Sequence, residues 1–331
     1  MPPPGYGPWE AHTHTLATAL HRLGHDVTLF APEGSRFEGR LVETVPAPLS
    51  QAPNLDAKVW EAMHVAAAME RADEFDVVHS QIDLLPLAFS KLVDTPIVAT
   101  VHGFGAPDTR RRVLPIWRRY CDRVALVAIS DANREADLRY AATIHHGIDL
   151  EPWPFSDPGP NAPLVFFGRI HPDKGPQDAM RIAREANVPL VMGGIVHDEA
   201  LFEREVRPHV DGERVSWLGN VQGTERARVL GGARALLHPI GFDEPFGLSV
   251  VEAMACGTPV IAYDRGSMPE IVHPGTGFLV RDVPEAVAAV ARLPEIDRRD
   301  CRAHVERRFT AKRMGRDYER LFRSLSANAS A

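Results

Sequence analysis

The sequence predicts an α/β protein of two Rossmann-like, doubly wound domains that face each other across a cleft. Three observations predict it. Short apolar runs alternate with longer amphipathic ones, which is the signature of βαβ units and parallel sheets. A proline-rich stretch interrupts that alternation near the middle of the chain. The length, 331 residues, is long for one core and comfortable for two.

The N-terminal domain is expected over 1–150. Segments 26–31, 76–80, 96–101 and 124–129 read as buried strands, being short, rich in Val and Ile and bounded by Gly, Pro, Asp or Ser. Between them 12–23, 54–71 and 84–92 have the length and apolar spacing of helices. A doubly wound domain opens with a central strand that feeds a glycine loop. Here Gly5-Tyr6-Gly7 is preceded only by Met1-Pro2-Pro3-Pro4, and three prolines in four residues make no central strand. The first strand of this domain is therefore expected to be missing, through a shortened chain or a displaced start codon.

Residues 151–163 carry five prolines, Pro152, Pro154, Pro158, Pro160 and Pro163. Proline lacks the backbone donor that helices and sheets use, so this stretch reads as an interdomain linker. A second domain is expected over 164–310, with strands at 164–167, 190–192, 215–218, 235–238, 259–263 and 277–280. Its helices are expected at 177–187, 199–207, 224–230 and 248–255. A C-terminal helix over 311–331 has the N-terminal domain as its expected packing partner.

Composition bounds the function. A charged fraction of 24% beside 44% hydrophobic residues is that of a globular protein. No apolar run approaches the roughly 18 residues of a membrane span, and no basic-then-apolar leader marks secretion. The three cysteines, Cys121, Cys256 and Cys301, lack metal or disulfide spacing, so a cytoplasmic location is expected. A formal net charge of −7 argues against nucleic acid as a partner.

Three constellations carry chemistry. The first runs from Asp243 to Val260: Glu244, Pro245, Phe246 and Gly247 precede a helix that opens near Leu248 and bears Glu252. Helix N-terminal amides form an anion site, and carboxylates on either side of it can grip hydroxyls at the two ends of one ligand. A Glu near a helix start is also favoured by the helix dipole alone. The second is Gly168-Arg169-Ile170-His171-Pro172-Asp173-Lys174-Gly175, which follows a strand; its two cations suit a diphosphate, since open α/β sheets bind ligands at that edge. Solvated surface cations are the plainer account of such a loop. The third is Thr100-Val101-His102-Gly103, which places His102 at a strand's C-terminal end, where it is either a ligand-facing residue or a packed structural one. Ser130 is as easily a helix cap as a contact.

With these residues in view, the sequence resembles the family-4 retaining glycosyltransferases of the GT-B fold. Their paired glutamates, with seven residues between them, match Glu244 and Glu252; their phosphate-binding cations match Arg169 and Lys174; their first-domain histidine matches His102. The segments Pro4 to Glu10, Gly24 to Phe30 and His146-Gly147-Ile148-Asp149 also have the family's look. The resemblance implies a nucleoside-diphosphate sugar as donor substrate, with no cofactor. It implies that Glu244 and the amides of Phe246, Gly247 and Leu248 hold the sugar, that Arg169 and Lys174 neutralise the departing diphosphate, and that Glu252 binds the ribose. His102 then lies by the donor sugar and Gly7 on the glycine loop, where the family's second glycine is replaced by Pro8. Fixed cations at the leaving group lower the barrier to a sugar cation, and no Asp-x-Asp motif appears, so transfer is expected without metal.

Two other functions fit the same fold: a sugar-nucleotide epimerase and a non-catalytic sugar-nucleotide-binding subunit. UDP, GDP and ADP are equally compatible with the motifs. The acceptor is open among small molecules, glycans and lipid-linked substrates. Residues 108–123 carry six arginines with Trp117; such a helix either lies at an anionic membrane surface as a peripheral contact or packs its apolar side on the sheet, and Pro115 is expected to interrupt it.

Overall fold

The computed structural model describes residues 1, 7–82, 84–105, 107–159 and 161–329. It divides into two compact units: Met1–Gly147 with Ala311–Ala331, and Ile148–Thr310.

Unit 1 contains, in order, α1 (Pro8–Arg22), β1 (Thr28–Pro32), β2 (Arg40–Val45), α2 (Ala57–Met69), β3 (Val78–Ser80), α3 (Leu85–Phe89), β4 (Ile97–Val101), α4 (Pro107–Tyr120), β5 (Ala125–Ala128) and β6 (Tyr140–Thr143). Among the described residues its strands form two parallel sheets, a pair β1-β2 and a four-stranded sheet β3-β4-β5-β6. All five residues of β4 are buried. Its odd positions, Ile97, Ala99 and Val101, join Leu87, Trp117 and Leu126 in one core, while Val98 faces Leu16, Leu20, Val127, Met314 and Tyr318 in another. Both faces are covered, which is why this strand reads as a continuous apolar run and not as an alternation.

Unit 2 contains β7 (Leu164–Phe167), α5 (Pro176–Glu185), β8 (Leu190–Gly193), α6 (Glu199–Leu201), β9 (Val215–Trp217), α7 (Gly223–Gly231), β10 (Ala235–His238), α8 (Leu248–Ala255), β11 (Val260–Tyr263), α9 (Met268–Ile271), β12 (Gly277–Val280), α10 (Val283–Arg292) and α11 (Arg298–Arg308). Its parallel sheet runs β12-β11-β10-β7-β8-β9. In chain order that is 3-2-1-4-5-6, the doubly wound arrangement, with its topological switch point between β7 and β10. The remaining helix, α12 (Ala311–Ala329), returns the chain to unit 1. There Gly315 lets it approach α1, since a side chain would meet Ala19 and Leu23 at 3.2 Å.

Several expectations are corrected. The proline-rich stretch is not a free linker: it belongs to unit 2. Ser156 donates its amide to Cys256, Arg298 bonds the Ser156 carbonyl and Arg302 bonds that of Trp153. A prolyl chain has few donors of its own, so unit 2 anchors it chiefly through its carbonyls. The chain crosses between units at 147/148 and 310/311 instead. Pro115 does not interrupt α4; it lies on the exposed side, where water can take the carbonyl that loses its helix donor. Strands β2 and β6 escape the apolar-run criterion because both are half exposed. Most of the glycine loop, residues 2–6, lies outside the described residues. Among the described residues no helix is long and apolar enough to cross a membrane.

Candidate active site

In unit 2 the switch point sets the geometry. The loop after β7 carries Arg169 and Lys174, the loop after β10 carries Glu244, and these two strands are hydrogen-bonded neighbours. The loops are tied together, Gly241 donating to the Asp173 carbonyl at 2.8 Å. Gly175, in the left-handed region at φ 68°, makes this approach possible: a Cβ there would lie 2.1 Å from the Pro239 carbonyl oxygen. On the other side Gly266 backs Glu244, where a Cβ would fall 2.4 Å from the Glu244 amide nitrogen.

Lys174 Nζ donates to Glu244 Oε2 at 2.7 Å, and the two side chains are only 17% and 15% exposed. The ammonium also sits over the Phe242 ring, 4.6 Å from its centroid. Arg169 is looser, 3.5 Å from Asp173 and 30% exposed. Gly247 caps α8 in a left-handed conformation, φ 94°, and its carbonyl accepts from Val250 at 3.0 Å. Phe246 is core, 2% exposed, with its carbonyl taken by the Ser267 hydroxyl at 2.8 Å. Leu248 is the first residue of α8.

Glu252 lies one turn further along α8. Arg226 of α7 donates to its Oε2 from Nε at 2.8 Å and from Nη2 at 2.6 Å. That guanidinium rests on the Phe167 ring, 4.5 Å from the centroid. Each of the two glutamates is thus held by a cation that stands on an aromatic ring. Sequence spacing singled out the acids but not Arg226, Phe167 or Phe242. His238, at the end of β10, was also missed. It is buried, its Nε2 has no hydrogen-bond partner among the described residues, and burial with the charge of Lys174 lowers its pKa to about 3.

In unit 1, His102 follows β4 and is 5% exposed. Its Nε2 lies 2.7 Å from Gln81 Oε1, so with this amide orientation the ring donates from Nε2. Trp9 stacks on it at 5.3 Å and 21°, and His12 and His146 lie at 5.6 and 5.4 Å. Gln81 continues to His79, which meets Thr100, and Thr100 meets Tyr318 of α12. Burial lowers the His102 pKa to about 4, so the imidazole is neutral near pH 7 and acts there as a dipole, not a cation. Gly7, the expected loop contact, caps α1 and accepts from the Ala11 amide at 2.9 Å.

The apolar side of α4 packs inward. Trp117 is 2% exposed and packs in the core with Phe104. Arg110, Arg111 and Arg118 pair with Glu135, Asp108 and Asp137.

Comparison with known proteins gives the family. The family described as glycosyltransferase family 4 matches residues 9–152, and that described as glycosyl transferases group 1 matches residues 152–306. The α-maltose-1-phosphate synthase of Mycobacterium tuberculosis is 30% identical, over 89% of this chain and 86% of its own. The chain belongs to the family-4 glycosyltransferases. A glycogen synthase of the same organism is 27% identical over 87% of this chain and 83% of its own. Anabaena HepE, solved in complex with UDP, superposes with a TM-score of 0.74 at 20% identity, covering 96% of each chain. The fold of this glycosyltransferase is therefore GT-B, with two Rossmann-like domains, and its activity is glycosyl transfer.

Proposed function

We propose that this glycosyltransferase takes its sugar from a nucleoside-diphosphate sugar and passes it to an acceptor hydroxyl with retention of configuration and without metal. The observation that carries this reading is the Lys174–Glu244 pair at the switch point of unit 2, 2.7 Å apart and mostly withdrawn from water. A cation there meets the charge that develops on a departing diphosphate, and an acid beside it grips sugar hydroxyls. Arg169 supplies a second cation from the same loop. The amides of Phe246, Gly247 and Leu248 add the positive end of α8, and Glu252 takes the ribose. His102, neutral near pH 7 and with its one N–H given to Gln81, keeps its other ring nitrogen as an acceptor.

In the step itself the bond from the anomeric carbon to the diphosphate oxygen breaks as the acceptor oxygen bonds to the same face. The acceptor's proton passes to the leaving phosphate oxygen, so no side-chain nucleophile is required. The named relatives are glycosyltransferases, which favours transfer over epimerisation. The test is turnover: UDP-, ADP- and GDP-linked sugars are incubated with a panel of sugar and polyol acceptors, and diphosphate release is followed. Release that never depends on an acceptor refutes transfer to one; inversion of the product anomer refutes retention.

A further inference from the structure

We infer that Arg226 is a positioning residue for the nucleotide: it orients Glu252 so that one carboxylate oxygen is reserved for the ribose hydroxyls. The inference rests on the proposed ribose contact of Glu252 and adds to it a residue that no sequence motif marks.

The geometry is asymmetric in a telling way. Both nitrogens of Arg226 converge on a single oxygen, Oε2, at 2.8 and 2.6 Å. Among the described residues Oε1 takes no protein hydrogen bond. A salt bridge built only for stability would use the fork of the guanidinium on both oxygens, the stronger arrangement. Here one oxygen is spent on the anchor and the other stays available as an acceptor. The anchor is itself braced. Arg226 lies over Phe167, the last residue of β7, so its plane is set by a core strand beside the switch point. Both side chains of the pair are 17% exposed, so neither swings freely. Two adjacent hydroxyls donating to one charged oxygen suit a ribose, and a sugar lacking them leaves Oε1 desolvated without a partner. Discrimination of this kind comes from a buried polar group left unpaired.

The experiment uses the full chain and calorimetric binding of UDP, ADP and GDP, each against its 2′,3′-dideoxy counterpart. Hydrogen bonds to a charged group contribute about 1.5–3 kcal/mol, so the wild type should prefer the tightest ribonucleotide by roughly 10- to 150-fold over its dideoxy form. Arg226→Met should reduce that preference to within about 3-fold of unity while leaving the dideoxy affinity nearly unchanged. Arg226→Lys, with one charged donor group in place of the fork, should retain an intermediate ratio and decides the matter if the Met variant does not fold. A full wild-type preference in either Arg226 variant overturns the inference. Glu252→Gln is the separating control. If it abolishes the preference and the Arg226 variants do not, Arg226 is only structural; if it too keeps the preference, the ribose reading of Glu252 has failed and the inference falls with it.

Discussion

The pair Lys174–Glu244 allows stability and activity to be separated by a double-mutant cycle. Lys174→Met strands a carboxylate that is only 15% exposed. Halving a fully buried pair costs about 3–5 kcal/mol and an exposed one contributes about 0–1 kcal/mol, so this intermediate site should lose about 2–3 kcal/mol. In a unit of this size that lowers Tm by roughly 4–12 °C. Adding Glu244→Gln removes the stranded charge, and the double variant should recover on the order of 1–2 kcal/mol. Activity should behave differently. Each single variant and the double variant should lose about 100- to 1,000-fold in kcat, because the proposed leaving-group cation or sugar contact is absent in all three. Thermal unfolding followed by circular dichroism gives the first quantity, and diphosphate release the second. A double variant no more stable than Lys174→Met refutes the energetic coupling. One that regains near wild-type turnover shows that the charges serve only the scaffold.

Three further outcomes are expected. Transfer should persist in excess EDTA, since in the proposed mechanism side-chain cations face the diphosphate; loss restored by magnesium or manganese contradicts this. Acid should unsettle unit 1: His102 and His79 titrate at about 4 and about 3 in the fold, against about 6.5 when unfolded. Between those values the unfolded chain binds more protons, so stability present above pH 6.5 is lost as pH falls, by about 1.4 kcal/mol per unit of separation for each group; ellipticity unchanged from pH 6.5 to 4 counts against the buried network. Arg298→Ala should cost unit 2 on the order of 3–5 kcal/mol, because its guanidinium bonds Ser156, Ala233, Gly231 and Thr258 at 2.8–3.1 Å; a Tm within 2 °C of wild type, on the same scale, shows that water replaces those bonds.

The sequence by itself determined the class of fold and the ordering of its elements, and it singled out the acids and cations of the candidate site. Strands such as β4 and β10, buried on both faces, must be continuous apolar runs, and that is a local property. The turns at Gly175 and Gly247 are local too, because a left-handed backbone favours glycine wherever the rest of the chain lies. What the tertiary structure alone decided is who meets whom. Lys174 reaches Glu244 across 70 residues of chain, because the switch point makes β7 and β10 neighbours. Arg226 looks in sequence like any surface arginine of a helix, yet Phe167 and Glu252 convert it into an anchor. The histidine network gathers His12, His79, Gln81, His102, His146 and Tyr318 from separate segments, and burial, which no spacing encodes, makes His102 neutral. The same holds for the proline-rich stretch: its composition excludes helix and sheet, but the donors of Arg298 and Arg302, with the Ser156 amide on the Cys256 carbonyl, tie it to unit 2. Local backbone preference can be read along the chain, whereas pairing and desolvation are set by residues that are distant in sequence and near in space.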